Sequence, residues 1–500
     1  MTRIQRLRLM RTTSALQFES AFLPTQVRHA LVLAASTFLA LALAPLGLVL
    51  FDLRDHDGQR IVELVLLAVT AIIVAAQAIL QRDSAAHPTR RAIGITSAIA
   101  VLGMLSVLHA PVMRAAALEA GLLLALALFA VGIGLAAAHL GIERMLAIPV
   151  AASLLFVFAV AVRYAAALSA QTPLLREHLL PAYSNYRFFN HVQAVTIPLI
   201  LAAATVGTIR MGLRRWAMFA LVLEFCLLHF TGGRATMAAL GIAAIAVAAV
   251  FRREALRWVV RLGLAAALGA ALYLLLFNAI PLLLGLPRDF FATDVVERSG
   301  TGVGSQREYL WSLAWQYIRE SPLLGIGPMH YAHRVNAEAA HPHNVYLQLA
   351  AEWGVPFAVL VIALAAVGWM RLLRAASASV GAGDRAIGVS LVAAGVAIAV
   401  DGMFSGNFVM PMSQLWIAFA IGLSIAYVRS AAPALPAAGA LAQPAARWGP
   451  VALCALSQIA IWQGVWPEIL DVNAHVDRVR AEIVHNVVDN PRIWSHGWFE

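Results

Sequence analysis

The chemistry available to this 500-residue sequence lies in the charged and titratable residues that interrupt its apolar runs. His341-Pro342-His343-Asn344 stands directly before an apolar stretch, and Arg234 closes a tight Thr231-Gly232-Gly233-Arg234 turn between two others. Arg307 lies in a long polar segment; Arg163, Glu224, His229 and Asp401 sit within or at the ends of apolar runs. A guanidinium fork matches phosphate oxygens, and an imidazole with an ordinary pKa near ~6.5 is a general base at neutral pH. Arginines with a histidine therefore suit displacement of a diphosphate by a hydroxyl. The arginines hold the departing charge, and the neutral imidazole takes the hydroxyl proton.

Each residue also has a plainer reading. Arg234 could be an interfacial side chain snorkelling to water; its two glycines argue instead for close backbone approach to a ligand. Arg163 could form a structural ion pair with Asp401 or Glu224, and Glu224 could be an interior hydrogen-bonding group. Arg307 could lie on a solvated helix face. Asn344 could cap the helix that follows it, leaving His341 and His343 merely interfacial. A metal is not expected: the two histidines do not share a helix face, and no HExxH or CxxC spacing occurs. Asp289, Asp294 and Glu297 could hold a divalent ion, but nothing fixes them together. No Walker loop and no GxGxxG after a strand is present, so no nucleotide and no cofactor is expected.

The elements that position these residues are membrane spans. Hydrophobic residues make up 61% of the chain and charged residues 12%, far from the roughly even apolar share and one-quarter charged share of soluble domains. The fold class is therefore an all-α polytopic membrane protein. Continuous apolar runs exclude the alternating pattern of a β-barrel. Spans are expected near 30–51, 61–80, 92–109, 115–137, 146–169, 191–209, 216–230, 235–251, 262–280, 353–370, 386–404, 412–428 and 448–466. The basic residues are all Arg, and the net charge of +10 follows from topology, not from nucleic-acid binding. Twenty-one arginines fall in segments that an N-in orientation makes cytoplasmic; the short outward loops hold six, Arg54, Arg60, Arg114, Arg176, Arg187 and Arg234. The N-terminus, with Arg3, Arg6, Arg8 and Arg11, carries no apolar stretch of signal-peptide form. Cys226 and Cys454 lie in apolar runs and make no disulfide framework.

This layout gives 1–280 with nine spans, 281–352 as one large outward loop, 353–466 with four more spans, and 467–500 as a short outward tail. The loop has its own helix signal in Tyr309, Leu310, Leu313, Ala314 and Tyr317, with Ser305 as its cap. Its aromatics, Trp311 and Trp315 among them, suit an interface. It adds His330, His333 and Arg334 to the outward polar set. A lipid-tailed donor would place its diphosphate at this depth, and glycosyl transfer by single displacement would invert the anomeric centre without metal or ATP. A transporter would instead want charges near the midplane and repeated broken helices; no internal repeat is visible.

Ser321-Pro322-Leu323-Leu324-Gly325-Ile326-Gly327, then His341-Pro342-His343-Asn344-Val345-Tyr346-Leu347-Gln348 and Glu352-Trp353-Gly354-Val355-Pro356, resembles the O-antigen ligase / O-antigen polymerase superfamily. Gly232-Gly233-Arg234-Ala235 is similar to its arginine turn, and Arg307 ahead of Trp311 to its large-loop arginine. The similarity spans roughly 185–370. It implies a GT-C-type glycosyltransferase of the bacterial inner membrane that draws on undecaprenyl-diphosphate-linked glycan at the periplasmic face. It further implies His343 as the base, His341 as a weaker candidate, and Arg234 and Arg307 on the diphosphate. Ligases of lipopolysaccharide biosynthesis use lipid A–core as acceptor; polymerases use a growing glycan, and protein O-oligosaccharyltransferases use Ser or Thr. The ligase reading is preferred, although an outward tail after a thirteenth span departs from ligases toward the protein-glycosylating branch.

Overall fold

Spanning backbone must pair its own N–H and C=O groups, so long apolar runs become helices. The computed structural model describes residues 24–44, 55–80, 90–287, 303–334, 338–431, 443–482 and 491–499, and none of these is in a strand. Arg3, Arg6, Arg8, Arg11, Asp289, Asp294 and Glu297 lie outside the described residues.

All thirteen expected spans are represented by helices: α1 Thr25–Leu43, α2 Asp55–Leu80, α3 Arg90–His109, α4 Met113–Leu140, α5 Ala147–Ser169, α6 Tyr186–Thr205, α7 Met211–Thr231, α8 Arg234–Phe251 and α9 Leu256–Leu274. Between α9 and the next span lie α10 Val303–Glu320 and the short α11 Val345–Trp353. Then follow α12 Val355–Ala378, α13 Ala382–Asp401, α14 Pro411–Ala431, α15 Gln443–Val465 and the polar α16 Val472–Glu482. Among the described residues, ten helical segments are long and apolar enough to cross a membrane. Those ten do not include α7, which carries Arg214, Arg215 and Glu224, the shorter apolar stretch of α3, or α15, the expected thirteenth span. α10 begins at Val303, so Ser305 lies inside its first turn and is not its cap.

The bundle is organised around α6, buried at every residue from Phe189 to Ala204. It packs on α7 and α13; α13 in turn meets α8, and α7 meets α9. α4 lies against α14 and α15 on another side. Many outward residues, including Ile72, Phe158 and Ile245, remain exposed apolar groups, as lipid-facing helix surfaces require. Leu310, Ala314, Tyr317, Ile318, Ile326, Tyr331, Ala339 and Ala351 form a separate small core. It gives the described part of the segment between α9 and α12 a core of its own. Arg60, expected in an outward loop, is instead buried in α2, because carboxylate and carbonyl partners meet it there.

Candidate active site

The start of α6, the α7–α8 turn, the segment around α10 and α11, and the end of α13 converge at one end of the bundle. Asn185 caps α6 by accepting a hydrogen bond from the Arg187 amide at 2.9 Å. One turn later, the Asn190 Oδ1 accepts from Thr231 Oγ1 at 2.7 Å. Gly232 then closes α7 in the left-handed region, at φ +65°. Gly233 packs so tightly that an added Cβ would stand 2.5 Å from Asn190 Nδ2. A side chain at Gly233 would push the turn off α6, and one at Gly232 would strain its left-handed backbone, so the glycines bring Arg234 to the α6 terminus.

Asp401, the last residue of α13, is fully buried. Its Oδ2 accepts from Ser405 Oγ at 2.6 Å, and its Oδ1 lies 3.1 Å from Thr236 Oγ1. The Thr236 hydroxyl proton is shared with the Asn190 carbonyl, 3.0 Å away. His191 Nδ1 stands 3.6 Å from Asp401 Oδ2. The turn after Asp401 leads to Phe404, whose carbonyl accepts from Arg307 Nη2 at 3.1 Å. Loss of water lowers the Arg307 pKa; Arg187 and Arg234 push it the same way, and Asp401 opposes them. Three guanidinium groups thus share one neighbourhood. Gathering like charges is unfavourable unless an anion joins them.

The histidine run lies beside them. His343 adopts φ +51°, a conformation costing a non-glycine residue roughly 1–3 kcal/mol. Its amide donates to His341 Nδ1 at 3.2 Å, and the two rings meet edge to face at 4.3 Å. The bond makes Nδ1 of His341 an acceptor, which assigns its proton to Nε2 when neutral. Burial lowers the His343 pKa to about 3, with His191, Arg307 and Arg187 adding to the effect. His341 is held well below its ordinary value by burial, then by His343, Arg492 and His191. Both rings are neutral near pH 7. Asn344 accepts from the amides of Tyr346 and Leu347, each at 3.1 Å, and so caps α11. Trp311 Nε1 donates to the Pro342 carbonyl at 3.1 Å, tying α10 to the run.

Two glycines fix the motif segments against each other. An added Cβ on Gly325 would stand 2.3 Å from the Glu352 carbonyl oxygen, and one on Gly354 would stand 2.2 Å from that of Leu323. Both glycines have positive φ. The two motif stretches are therefore opposite sides of one backbone-to-backbone contact.

The structure thus assembles His341, His343, Asn344, Arg234, Arg307 and Asp401. Glu224 lies elsewhere, in a closed interior set: Ser153 Oγ donates to its Oε1 at 2.5 Å and Gln193 Nε2 to its Oε2 at 2.9 Å. Arg163 is exposed and donates to the His178 carbonyl at 3.1 Å. Among the described residues it pairs with neither Asp401 nor Glu224. His330 is held by the Val112 amide at 3.0 Å and the Pro328 carbonyl at 2.8 Å, and Arg334 pairs with Glu320; both have packing roles. Sequence reasoning missed Arg187 and His191. Their i,i+4 spacing at the outward end of a span, where arginine is disfavoured, was the available signal.

No metal-binding group of three or more His, Cys, Asp or Glu occurs among the described residues. The arrangement can bind a polyanion through several guanidinium groups and present a neutral imidazole next to it. No curated protein matches the sequence. Residues 217–362 match a protein-family model described as O-antigen ligase. This central segment, which carries Arg234, Arg307, His341 and His343, is thus similar to the O-antigen ligase family.

Proposed function

We propose that this protein transfers a glycan from undecaprenyl diphosphate to a hydroxyl acceptor at the periplasmic face of the bacterial inner membrane. As an O-antigen ligase its acceptor is lipid A–core. The observation that carries the reading is that Arg187 and Arg234 lie close enough to Arg307, and Arg307 and Arg187 close enough to His343, to act on their charges, with Arg307 tied to the turn after Asp401.

In this scheme the acceptor oxygen attacks the anomeric carbon as the bond from that carbon to the diphosphate oxygen breaks. The diphosphate leaves with the bonding electrons, and the arginines carry its charge. The hydroxyl proton passes to the His343 imidazole. A single displacement inverts the anomeric centre. Asp401, held by Thr236 and Ser405, keeps His191 and the turn carrying the Phe404 carbonyl in place. Before the donor binds, burial, with neighbouring cations adding to it, holds His343 at about 3. A docked diphosphate neutralises those cations, so the imidazole becomes a stronger base when its substrate is present.

Protein O-oligosaccharyltransferase is the second reading. It is favoured by the described segment 491–499, which follows the last span and packs beside the histidine run. Mass spectrometry of glycolipids and glycoproteins from a deletion strain, complemented with wild type or His343→Ala, tests both. Loss of glycan-capped lipid A–core supports the ligase. Loss of glycoprotein alone supports the second reading, and an unchanged profile of both rejects glycosyl transfer to either acceptor.

A further inference from the structure

The segment 491–499 returns to the bundle far from its neighbours in sequence. Arg492 is 2% exposed. Its Nη2 donates to Glu352 Oε2 at 2.7 Å and to Glu119 Oε1 at 3.1 Å, and its Nη1 donates to the Ala340 carbonyl at 3.4 Å. Ala340 directly precedes His341, and Glu352 lies in the last turn of α11, which Asn344 caps. One guanidinium therefore grips both ends of the stretch that holds His341 and His343. Glu352 extends the grip: its Oε1 accepts from the Tyr331 amide at 3.0 Å and its Oε2 from Gln348 Nε2 at 3.1 Å.

Arg492 is itself anchored from behind. Arg60 Nη2 donates to its carbonyl at 2.8 Å, and Arg60 Nε donates to the Ile493 carbonyl at 3.2 Å. Arg60 also pairs with Glu63 and donates to Gln414 Oε1 at 2.7 Å. Asp57 Oδ2 accepts from Ser495 Oγ at 2.9 Å, and Trp494 Nε1 donates to Glu468 Oε2 at 2.7 Å. A planar fork reaching three acceptors at once has no lysine equivalent.

We propose that Arg492 is a positioning residue for the transfer reaction: through Ala340 and Glu352, the 491–499 segment sets the backbone on which the His341–His343 pair stands. The proposal deepens the glycosyltransferase reading and rests on it for the reaction, though not for the geometry. Its first test therefore does not use activity. Hydrogen exchange of the full-length protein in lipid nanodiscs is compared for wild type, Arg492→Lys and the charge-balanced double variant Arg492→Met/Glu352→Gln. Amides of 339–344 should exchange about tenfold faster in both variants while α4 and α6 keep wild-type protection. In parallel, kcat should fall about 100-fold with the KM for lipid-linked donor little changed, as misplacement of the base requires. Unchanged exchange in folded variants overturns the proposal. Faster exchange spread equally over α4 and α6 also overturns it, since that is general destabilisation. If wild type itself transfers no glycan, the function is wrong, and the exchange comparison still decides whether Arg492 positions the loop.

Discussion

Two groups of arginines, one buried and one partly exposed, lie at the same end of this protein and are built on opposite principles. Around Arg60 and Arg492, each guanidinium meets carboxylates and carbonyls: Glu63 for Arg60, Glu119 and Glu352 for Arg492. Those carboxylates raise the Arg492 pKa against the opposing effect of burial. Around Arg307 the balance is reversed. Burial and two further arginines lower its pKa, and Asp401 is the opposing anion. Charges met by carboxylates fix a backbone; cations gathered side by side attract an anion. The first group carries architecture, the second is the proposed diphosphate site, and the histidine run lies beside both.

The largest expected effect comes from His343→Ala, which should lower kcat roughly 100- to 10,000-fold while melting stays near wild type. Retained transfer in the purified variant would remove His343 as the base. Arg307→Ala, Arg234→Ala and Arg187→Ala should each cost about 100-fold in transfer, or about 3 kcal/mol of transition-state stabilisation. Full activity in Arg187→Ala would reduce the arginine group to two members and blunt the contrast with Arg492.

A pH profile sharpens the comparison further. With His343 lowered to about 3 in the free protein, its base form is present throughout the range above that value. The kcat/KM profile, which reports the free enzyme, should show no acid limb near the ordinary histidine value. The kcat profile should show its limb at higher pH, because the bound diphosphate offsets the arginines. Coincident limbs would sink the coupling of donor to base. The same depression has a stability consequence of fixed sign: neutral His341 and His343 stabilise the fold above the unfolded pKa of ~6.5. That contribution is lost as pH falls from there toward the folded values, so thermal melting should drop on acidification.

Smaller effects mark what lies outside both groups. Glu224→Ala should cost about 1–3 kcal/mol of stability by leaving Ser153 and Gln193 without their acceptor. Catalysis per folded molecule should change little. Transfer should also be indifferent to EDTA; loss on chelation, with recovery in Mg²⁺ or Mn²⁺, would overturn the metal-free scheme.

Much of the site was legible because membranes make polar residues expensive. Arg234, Arg307, Asp401 and the His341–Asn344 run stand out against apolar flanks, and each reached the assembled site. Arg163 and Glu224 stand out by the same logic, yet the structure sets both apart from that group. An interior carboxylate satisfied by Ser153 and Gln193 looks, in one dimension, like one kept for a substrate. Arg187 and His191 were passed over because their i,i+4 pair opens an ordinary-looking span. The glycines of 321–327 and 352–356 were visible as a motif. That Gly325 and Gly354 press backbone against backbone was not.

Composition and apolar run length settled the fold class, because a bilayer leaves a continuous apolar chain no option but self-paired helices. Spacing and residue type marked the histidines and two of the arginines. Which charges would be matched was decided only by packing. Arg492 meets Glu119 and Glu352 from 373 and 140 residues away, and Arg307 faces Arg187 and Arg234 in place of a carboxylate partner of its own. Pairing of this kind depends on where helices cross, and helix crossing is set by side-chain packing across the whole bundle, which no local stretch of sequence contains.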